Sequence, residues 1–331
     1  MTNAVPFQPA WGLRSTIAQS ILASKRPVRR FWRKRGVDLE ALSSHHIFDV
    51  VDDHGLPAKI TGYFTPAAEA KALVVLIHGW EGSHESNYLY GMSCTLHVAG
   101  YALFRLNMRD HGDTHALNEG LFHSARLAEI LHAIQSAQKL APQLPLFVIG
   151  FSLGGNFALR VALHGKNYGL APRLCIGISP AVNPHSTLKG IDEGPALFNK
   201  YFLSKWRKTM DAKSVAWPGR YDFSKQKKIR NFVEITRAFV EEHTEFATLE
   251  QYLGVYTLTP DILMASPLPI AIFTAEDDSV CPPADFAGLK VGGNVLAYQA
   301  TKRGGHCGFI SNWRLESWAE ARVVELLNAQ L

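Results

Sequence analysis

Residues 146–155 read Leu-Phe-Val-Ile-Gly-Phe-Ser-Leu-Gly-Gly. The apolar residues at 146–149 predict a buried strand, and the apolar pattern that follows predicts a helix over 156–164. Between them lies G-x-S-x-G, a pattern that predicts a nucleophile elbow at Ser152 when a strand precedes it and a helix follows. Glycines at its two ends suit a turn too tight for larger side chains. A glycine-rich turn with an incidental serine is the alternative interpretation.

Strands alternate with helices on both sides of this stretch. Two β-rich segments joined by a hairpin signal come first, and further strands follow at 72–77, 102–106, 174–179, 269–274 and 295–298. Helices are predicted at 88–98, 122–140 and 313–328. This order predicts an α/β fold with a doubly wound, mostly parallel sheet and helices on both faces.

The alternation stops between residues 184 and 261, where helix-like segments and many aromatic residues take its place. We interpret 184–261 as a helical cap inserted into a core formed by 37–183 and 262–331. Ligands of open α/β sheets bind beyond the carboxyl ends of the strands, so such a cap would cover the site. Most of its aromatic residues are expected to form its own core, and a few to line an acyl pocket.

A serine nucleophile requires a histidine to accept its proton and a carboxylate to orient that histidine. In this type of fold they follow the serine in the order acid, then histidine. The loop after strand 269–274 offers three acids, and its spacing from Ala275 and to Pro282 selects Asp278. Asp277 is the second choice, and Glu276 is expected to be solvated.

The histidine is expected after the last strand. Residues 302–309 read Lys-Arg-Gly-Gly-His-Cys-Gly-Phe and place His306 in a glycine-rich loop before the final helix. Such a loop would let the imidazole reach Ser152, so His306 is the predicted general base. Cys307 beside it is expected to act in packing.

An oxyanion hole needs two backbone N–H donors. Leu153, directly after the nucleophile, is one predicted donor, and Trp80 in the His-Gly-Trp-Glu-Gly loop at 78–82 is the other. The residues at 107–114, Asn-Met-Arg-Asp-His-Gly-Asp-Thr, are expected to form a structural turn that braces this loop. We find no phosphate or dinucleotide fingerprint and no metal-ligand spacing, so no cofactor and no metal are expected.

The positive charge is concentrated at the N-terminus. Residues 1–35 contain eight Lys or Arg and no acid, whereas the remaining chain has 26 basic and 29 acidic residues. Residues 1–36 are therefore predicted to form a basic segment that packs on the core. Apolar residues at 13, 17 and 21 suit a short amphipathic helix ending before Pro27. Weak peripheral membrane contact through 11–35 is the alternative, and no nucleic-acid partner is expected.

The four cysteines form no C-x-x-C pair and are interpreted as reduced thiols, so a cytoplasmic location is expected. No run of residues is long and apolar enough to suggest a membrane span.

With these pieces placed, residues 45–331 resemble the α/β-hydrolase superfamily, and most of all its YheT-like branch of serine esterases. The residues that carry the resemblance are 78–83, 109–112, 150–156, 277–278 and 304–306. A further family run near the N-terminus has a loose counterpart here in Ile17-Ala18-Gln19-Ser20-Ile21. The resemblance implies hydrolysis of carboxylic esters, with medium-chain acyl groups as a substrate class.

The predicted function is therefore that of a serine esterase acting on a small-molecule ester of short to medium acyl chain. An acyltransferase would use the same triad, with an alcohol or thiol in place of water. A noncatalytic binding protein on a hydrolase scaffold would need neither the triad nor the elbow glycines.

Overall fold

Residues 7–331 are described by a computed structural model, and their strands form one eight-stranded sheet. The strands are β1 (Ser44–Val51), β2 (Pro57–Thr65), β3 (Leu73–Ile77), β4 (Ala102–Asn107), β5 (Leu146–Phe151), β6 (Leu174–Ile178), β7 (Ile270–Ala275) and β8 (Val295–Thr301). Their order across the sheet is β1-β2-β4-β3-β5-β6-β7-β8. β1–β2 and β2–β4 pair antiparallel, and the other neighbours pair in parallel.

The helices are α1 (Thr16–Lys25), α2 (Val28–Arg33), α3 (Leu39–Leu42), α4 (Asn87–Val98), α5 (Ala128–Gln138), α6 (Leu153–His164), α7 (Pro184–Glu193), α8 (Ala196–Ala216), α9 (Phe232–His243), α10 (Leu249–Val255), α11 (Pro260–Met264) and α12 (Trp318–Asn328). Every residue of β3, β5, β6 and β7 is buried, because apolar layers cover both faces of the sheet there. This is the α/β-hydrolase fold, and the predicted fold class is confirmed.

The strand order reverses direction at β3. The chain adds β4 on one side of β3 and then crosses to add β5 on the other side. Loops after β3 and β5 therefore diverge around a crevice at the carboxyl edge of the sheet, where open α/β folds bind ligands. The loop at 78–82 and the elbow at Ser152 both lie at this edge.

Between β6 and β7 the chain forms helices α7 to α11, and the predicted cap, residues 184–261, falls within this interval. The two helix-like segments of the sequence, 197–208 and 229–242, correspond to parts of α8 and α9, whereas α7 was not predicted. A start signal for α7 was present, since Asn183 caps the helix through its side chain and Pro184 occupies the first turn.

The helix predicted over 122–140 is shorter in the structure, where α5 begins at Ala128. The preceding backbone binds other elements instead of continuing a helix. Phe122 donates its N–H to the Asp110 carboxylate at 2.8 Å, and Ser124 donates to the Tyr252 hydroxyl at 2.8 Å. Tertiary hydrogen bonds thus override the apolar periodicity here.

Residues 1–6 of the predicted basic segment lie outside the described residues. The rest of the segment packs on the core, where Arg26 forms a buried ion pair with Glu320. Arg29 and Arg33 bind Glu40. Much of the positive charge is thus paired within the chain, which favours packing over the membrane alternative. Membrane contact through 11–35 stays a prediction.

The buried side of α1 differs from the expectation. Ile17 and Ile21 are both 39% exposed, whereas Gln19, Ser20 and Ala23 are buried. The apolar spacing predicted a helix correctly but predicted the wrong face, because the buried surface of α1 contacts backbone groups that need polar partners.

None of the helices formed by residues 7–331 combines the length and apolar character that crossing a membrane requires.

Candidate active site

Ser152 occupies a strained turn between β5 and α6. Its φ is +53° and its ψ −119°, a conformation that L-residues rarely adopt. Its N–H donates to the Ile178 carbonyl at 2.9 Å, which ties the turn to β6. A Cβ at Gly150 would overlap the Gly154 carbonyl, and one at Gly154 would overlap the backbone of β3. The flanking glycines therefore permit the close packing that holds Ser152 in this conformation.

The three residues predicted as a triad lie together. His306 Nε2 is 2.9 Å from Ser152 Oγ, and His306 Nδ1 is 2.9 Å from Asp278 Oδ2. The Asp278 side chain is fully buried, and its Oδ1 accepts hydrogen bonds from Val280 N and Cys281 N at 2.9 and 3.0 Å. With its carboxylate fixed on one side, Asp278 can hold the imidazole with Nε2 directed at the serine.

Asp277 and Glu276 have other surroundings. Asp277 accepts hydrogen bonds from Gly305 N at 2.9 Å and from the Thr16 hydroxyl at 2.8 Å. Glu276 is exposed. Asp277 thus holds the loop that carries His306, whereas Asp278 contacts the imidazole itself.

Two opposing effects act on the pKa of His306. Burial disfavours the charged ring, but the neighbouring Asp278 carboxylate stabilises it, and the pKa lies well above its ordinary value of 6.5. A raised pKa makes the imidazole a stronger base toward a serine proton, while requiring higher pH to keep it neutral.

The loop at 78–82 faces the nucleophile. A Cβ on Gly79 would lie 3.2 Å from the Cβ of Ser152, so this backbone is adjacent to the serine. Tyr88 fixes the loop, since its hydroxyl accepts a hydrogen bond from Gly79 N at 2.9 Å. The predicted donors Trp80 and Leu153 both line a cavity that also contains Ser152. Trp80 lies in the loop after β3, and Leu153 is the first residue of α6.

His78 does not contact the triad. Its Nδ1 lies 2.7 Å from the Gly79 carbonyl, and its Nε2 accepts a hydrogen bond from Met108 N at 3.2 Å. Burial lowers the pKa of His78 well below its ordinary value, so the ring stays neutral. The imidazole thereby joins the loop after β3 to the loop after β4.

The turn at 107–114 contacts other elements in addition to the loop at 78–82. Arg109 binds the buried Glu129 carboxylate at 2.7 Å. Asp110 binds Lys213 of α8 at 2.8 Å in a pair almost wholly excluded from solvent. The turn therefore connects the sheet to the helices between β6 and β7, a role that local sequence could not indicate.

Two unlike cavities meet at Ser152. The first, here called the small cavity, has a volume of about 110 Å³ and is lined mainly by apolar side chains such as Leu188, Phe232 and Phe239. The second, the wide cavity, has about 770 Å³ and includes polar residues of α1, α8 and the loop at 78–88. The serine thus stands between an apolar space and a larger space whose lining is mixed.

The N-terminal helix supplies contacts that motif analysis did not assign. Gln19 is fully buried and donates to the carbonyls of Leu13 at 2.7 Å and Ile310 at 2.9 Å, while its Oε1 accepts from Ile310 N at 2.7 Å. The Ser20 hydroxyl accepts from His306 N at 2.9 Å. The polar pair Gln19-Ser20, flanked by Ile17-Ala18 and Ile21-Leu22, was the available signal.

No metal is predicted, but one group of residues has side chains that are potential metal ligands. In residues 7–331, Asp278, Cys281 and His306 are the cluster whose ligand atoms lie within 4.8 Å of one another. Asp278 and His306 already bind each other, and burial raises the pKa of the Cys281 thiol to about 11. A protonated thiol is a poor metal ligand, so these residues fit a triad better than a metal site. All four cysteines are free and buried.

Comparison with known proteins places the chain among hydrolases. Residues 68–290 match the Hydrolase_4 family, described as serine aminopeptidase, S33. The chain is 24% identical to "Putative esterase YheT" of Escherichia coli strain K12, over 80% of this chain and 78% of that protein. It is 22% identical to "Putative esterase slr0264" of Synechocystis, over 97% of this chain and 94% of that one.

Solved structures show the same fold. The Pyrococcus furiosus esterase Pf2001 superposes with a TM-score of 0.58 at 14% identity, covering 89% of this chain and 94% of that chain. The family match extends from the end of β2 to just before β8, and so includes both the elbow and the loop of Asp278. The chain belongs to the Hydrolase_4 family of α/β hydrolases and is similar to the YheT-like esterases.

Proposed function

We propose that this hydrolase cleaves carboxylic esters with short- to medium-chain acyl groups through an acyl-enzyme on Ser152. The observation that carries the proposal is the continuous line of hydrogen-bond contacts from Asp278 through His306 to Ser152, with heavy-atom distances of 2.9 Å on both sides of the imidazole. The distances fall in the range required for proton transfer between nucleophile and base.

In the first half-reaction, Ser152 Oγ attacks the ester carbonyl while its proton passes to His306 Nε2. Asp278 stabilises the resulting imidazolium. The backbone N–H groups of Trp80 and Leu153 donate hydrogen bonds to the carbonyl oxygen and stabilise the negative charge that develops on it. His306 then donates its proton to the departing alkoxide, and the alcohol leaves.

In the second half-reaction, water takes the position of the alcohol. His306 removes a proton from the water as it attacks the acyl carbon, and the proton then returns to Ser152 Oγ as the carboxylic acid departs. The apolar small cavity provides a place for the acyl chain, since burial of each methylene contributes about 0.8 kcal/mol.

The experiment is a fluorophosphonate probe combined with a panel of 4-nitrophenyl esters from acetate to decanoate. Covalent labelling of the wild type and its loss in Ser152→Ala support a serine nucleophile. A binding protein would remain unlabelled. Esters with several methylenes should exceed acetate by about tenfold or more in kcat/KM. Repeating the reaction with added alcohol and measuring transfer products distinguishes an acyltransferase.

A further inference from the structure

Under the proposed function, the two cavities hold the two parts of an ester that lie on either side of its carbonyl carbon. The small cavity is apolar and accommodates the acyl side under the proposed function. The wide cavity is lined by Ser152 and also by His306, the residue that would protonate the departing alkoxide, so it is the space available to the alcohol side of the substrate. The charges that line this space therefore bear on which alcohols the site accepts.

Positive charge predominates along the wide cavity. Lys25 from the end of α1 and Lys205 and Lys208 from α8 line it. Within residues 7–331 none of these three lysines forms an ion pair, whereas Arg29, also on the lining, is paired with Glu40 and Glu85. Lys205 Nζ lies 5.9 Å from the centroid of the Tyr201 ring, which also lines this cavity. Within the described residues no carboxylate neutralises the three ammonium groups through an ion pair.

Glu81, an acid that lines both cavities, offsets this charge only in part. Glu81 lies in the loop at 78–82 and accepts a hydrogen bond from the Thr209 hydroxyl at 2.6 Å. Desolvation raises the pKa of its carboxyl to about 7, although Thr209 and Lys205 act in the other direction. A carboxyl that is partly protonated at neutral pH cannot fully neutralise Lys205.

We infer that the wide cavity binds an alcohol moiety that carries an anionic group, such as a carboxylate or a phosphate. The substrate class is then an amphipathic ester, with an apolar acyl chain in the small cavity and an anionic alcohol among Lys25, Lys205 and Lys208. A cationic alcohol would meet three like charges. This inference rests on the proposed ester hydrolysis and adds the chemistry of the leaving group.

The test uses three butyrate esters of phenol that differ in the para substituent, which is a carboxylate, a carboxamide or a trimethylammonium group. Their intrinsic reactivities differ, so the quantity compared is the ratio of kcat/KM for the carboxylate ester to that for the carboxamide ester, in each protein variant. The intrinsic reactivity of each leaving group is the same for every variant, so it cancels when the ratios of two variants are compared.

Lys205→Gln/Lys208→Gln should lower this ratio about 2- to 10-fold, the range expected for the loss of two solvent-screened charge interactions. The ratio for the trimethylammonium ester should rise. Lys25→Gln, on a different helix, should lower the carboxylate ratio independently. The matched control is Lys139→Gln/Lys290→Gln, which removes the same charge from exposed positions outside both cavities and should leave the ratio unchanged.

Salt provides a second measurement. Raising ionic strength shortens the screening length from about 10 Å at 0.1 M to about 3 Å at 1 M, so the wild-type ratio should fall toward that of the double variant. Equal ratios in the wild type and the double variant, with no response to salt, would overturn the inference while leaving ester hydrolysis intact. Failure of the wild type to hydrolyse any of the three esters would instead count against the proposed function.

Discussion

The hydroxyl of Ser20 accepts a hydrogen bond from the backbone N–H of His306, joining positions 286 residues apart. Beside it, Gln19 binds both the N–H and the carbonyl of Ile310. A Cβ at Gly305 or Gly308 would press against α1, so the loop of the predicted general base rests directly on the N-terminal helix. The helix acts on the proposed chemistry through this loop.

Gln19→Ala should reduce kcat about 10- to 100-fold with little change in KM, because a small displacement of a base impairs proton transfer more than substrate binding. Loss of its buried hydrogen bonds should also lower the free energy of unfolding by about 1–3 kcal/mol. Activity is measured well below the melting temperature of the variant. Gln8→Ala, an exposed glutamine of the same segment, is the control. A variant that is destabilised but retains wild-type kcat would show a purely structural role.

Ser152→Ala should abolish ester turnover, by about 10⁴-fold or more, while the circular dichroism spectrum and melting temperature stay near those of the wild type. The small change is tolerated because the strained backbone is set by the flanking glycines and not by the serine hydroxyl. Retention of substantial turnover would remove Ser152 from the mechanism.

Asp278→Asn should reduce kcat far more than Asp277→Asn. The former loses the charge that stabilises the imidazolium and can hold the wrong tautomer, an effect of up to about 10⁴-fold in a triad of this type. The latter disturbs only the hydrogen bonds to Gly305 and Thr16. Parallel measurement of the two variants decides between the acids, and a larger loss at Asp277 would transfer the role to it.

The pH profile of kcat/KM should rise with pH and reach half its maximum above pH 6.5, because neutral His306 is the active form and its pKa is raised. Asp278→Asn should move the midpoint down. The Glu81 carboxyl, with a pKa of about 7, titrates in the same range. Glu81→Gln should therefore keep the rising limb. A profile that is flat from pH 5 to 9 would contradict a histidine base.

Lys213→Met should lower the free energy of unfolding by about 3–5 kcal/mol, since it leaves the Asp110 carboxylate buried without its partner. Lys213→Met/Asp110→Asn should recover part of this loss. Urea denaturation of the two single variants and the double variant gives the coupling energy. Additive losses would show that the pair contributes no specific interaction.

The sequence predicted the parts of this molecule that depend on local pattern. The buried strands around β5 and the Gly-x-Ser-x-Gly turn follow from runs of apolar residues and from glycines that the geometry requires. Spacing within one loop also selected Asp278 from three neighbouring acids, and the structure places it against His306.

Interactions between segments that are distant in the sequence were harder to predict from it. Periodicity assigned the buried face of α1 to Ile17 and Ile21, because a pattern of apolar residues cannot show that the opposing surface is backbone in need of hydrogen bonds. α5 is shorter than the predicted helix for a related reason, because Asp110 and Tyr252 form hydrogen bonds with the backbone that precedes it. The charges of the wide cavity come from α1 and α8, which only the fold brings together.

The placement of Gln19 against Ile310 has a consequence for biosynthesis. A ribosome synthesises about 5–20 residues per second, so the 291 positions between them correspond to roughly 15–60 s. During that interval the first helix lacks the loop that covers its polar face. The sheet can begin to assemble, but the histidine loop and its support meet only after β8 has been synthesised. Under the proposed mechanism, catalytic competence therefore requires residue 306, and a chain stalled before it would lack both the base and the partner that α1 requires.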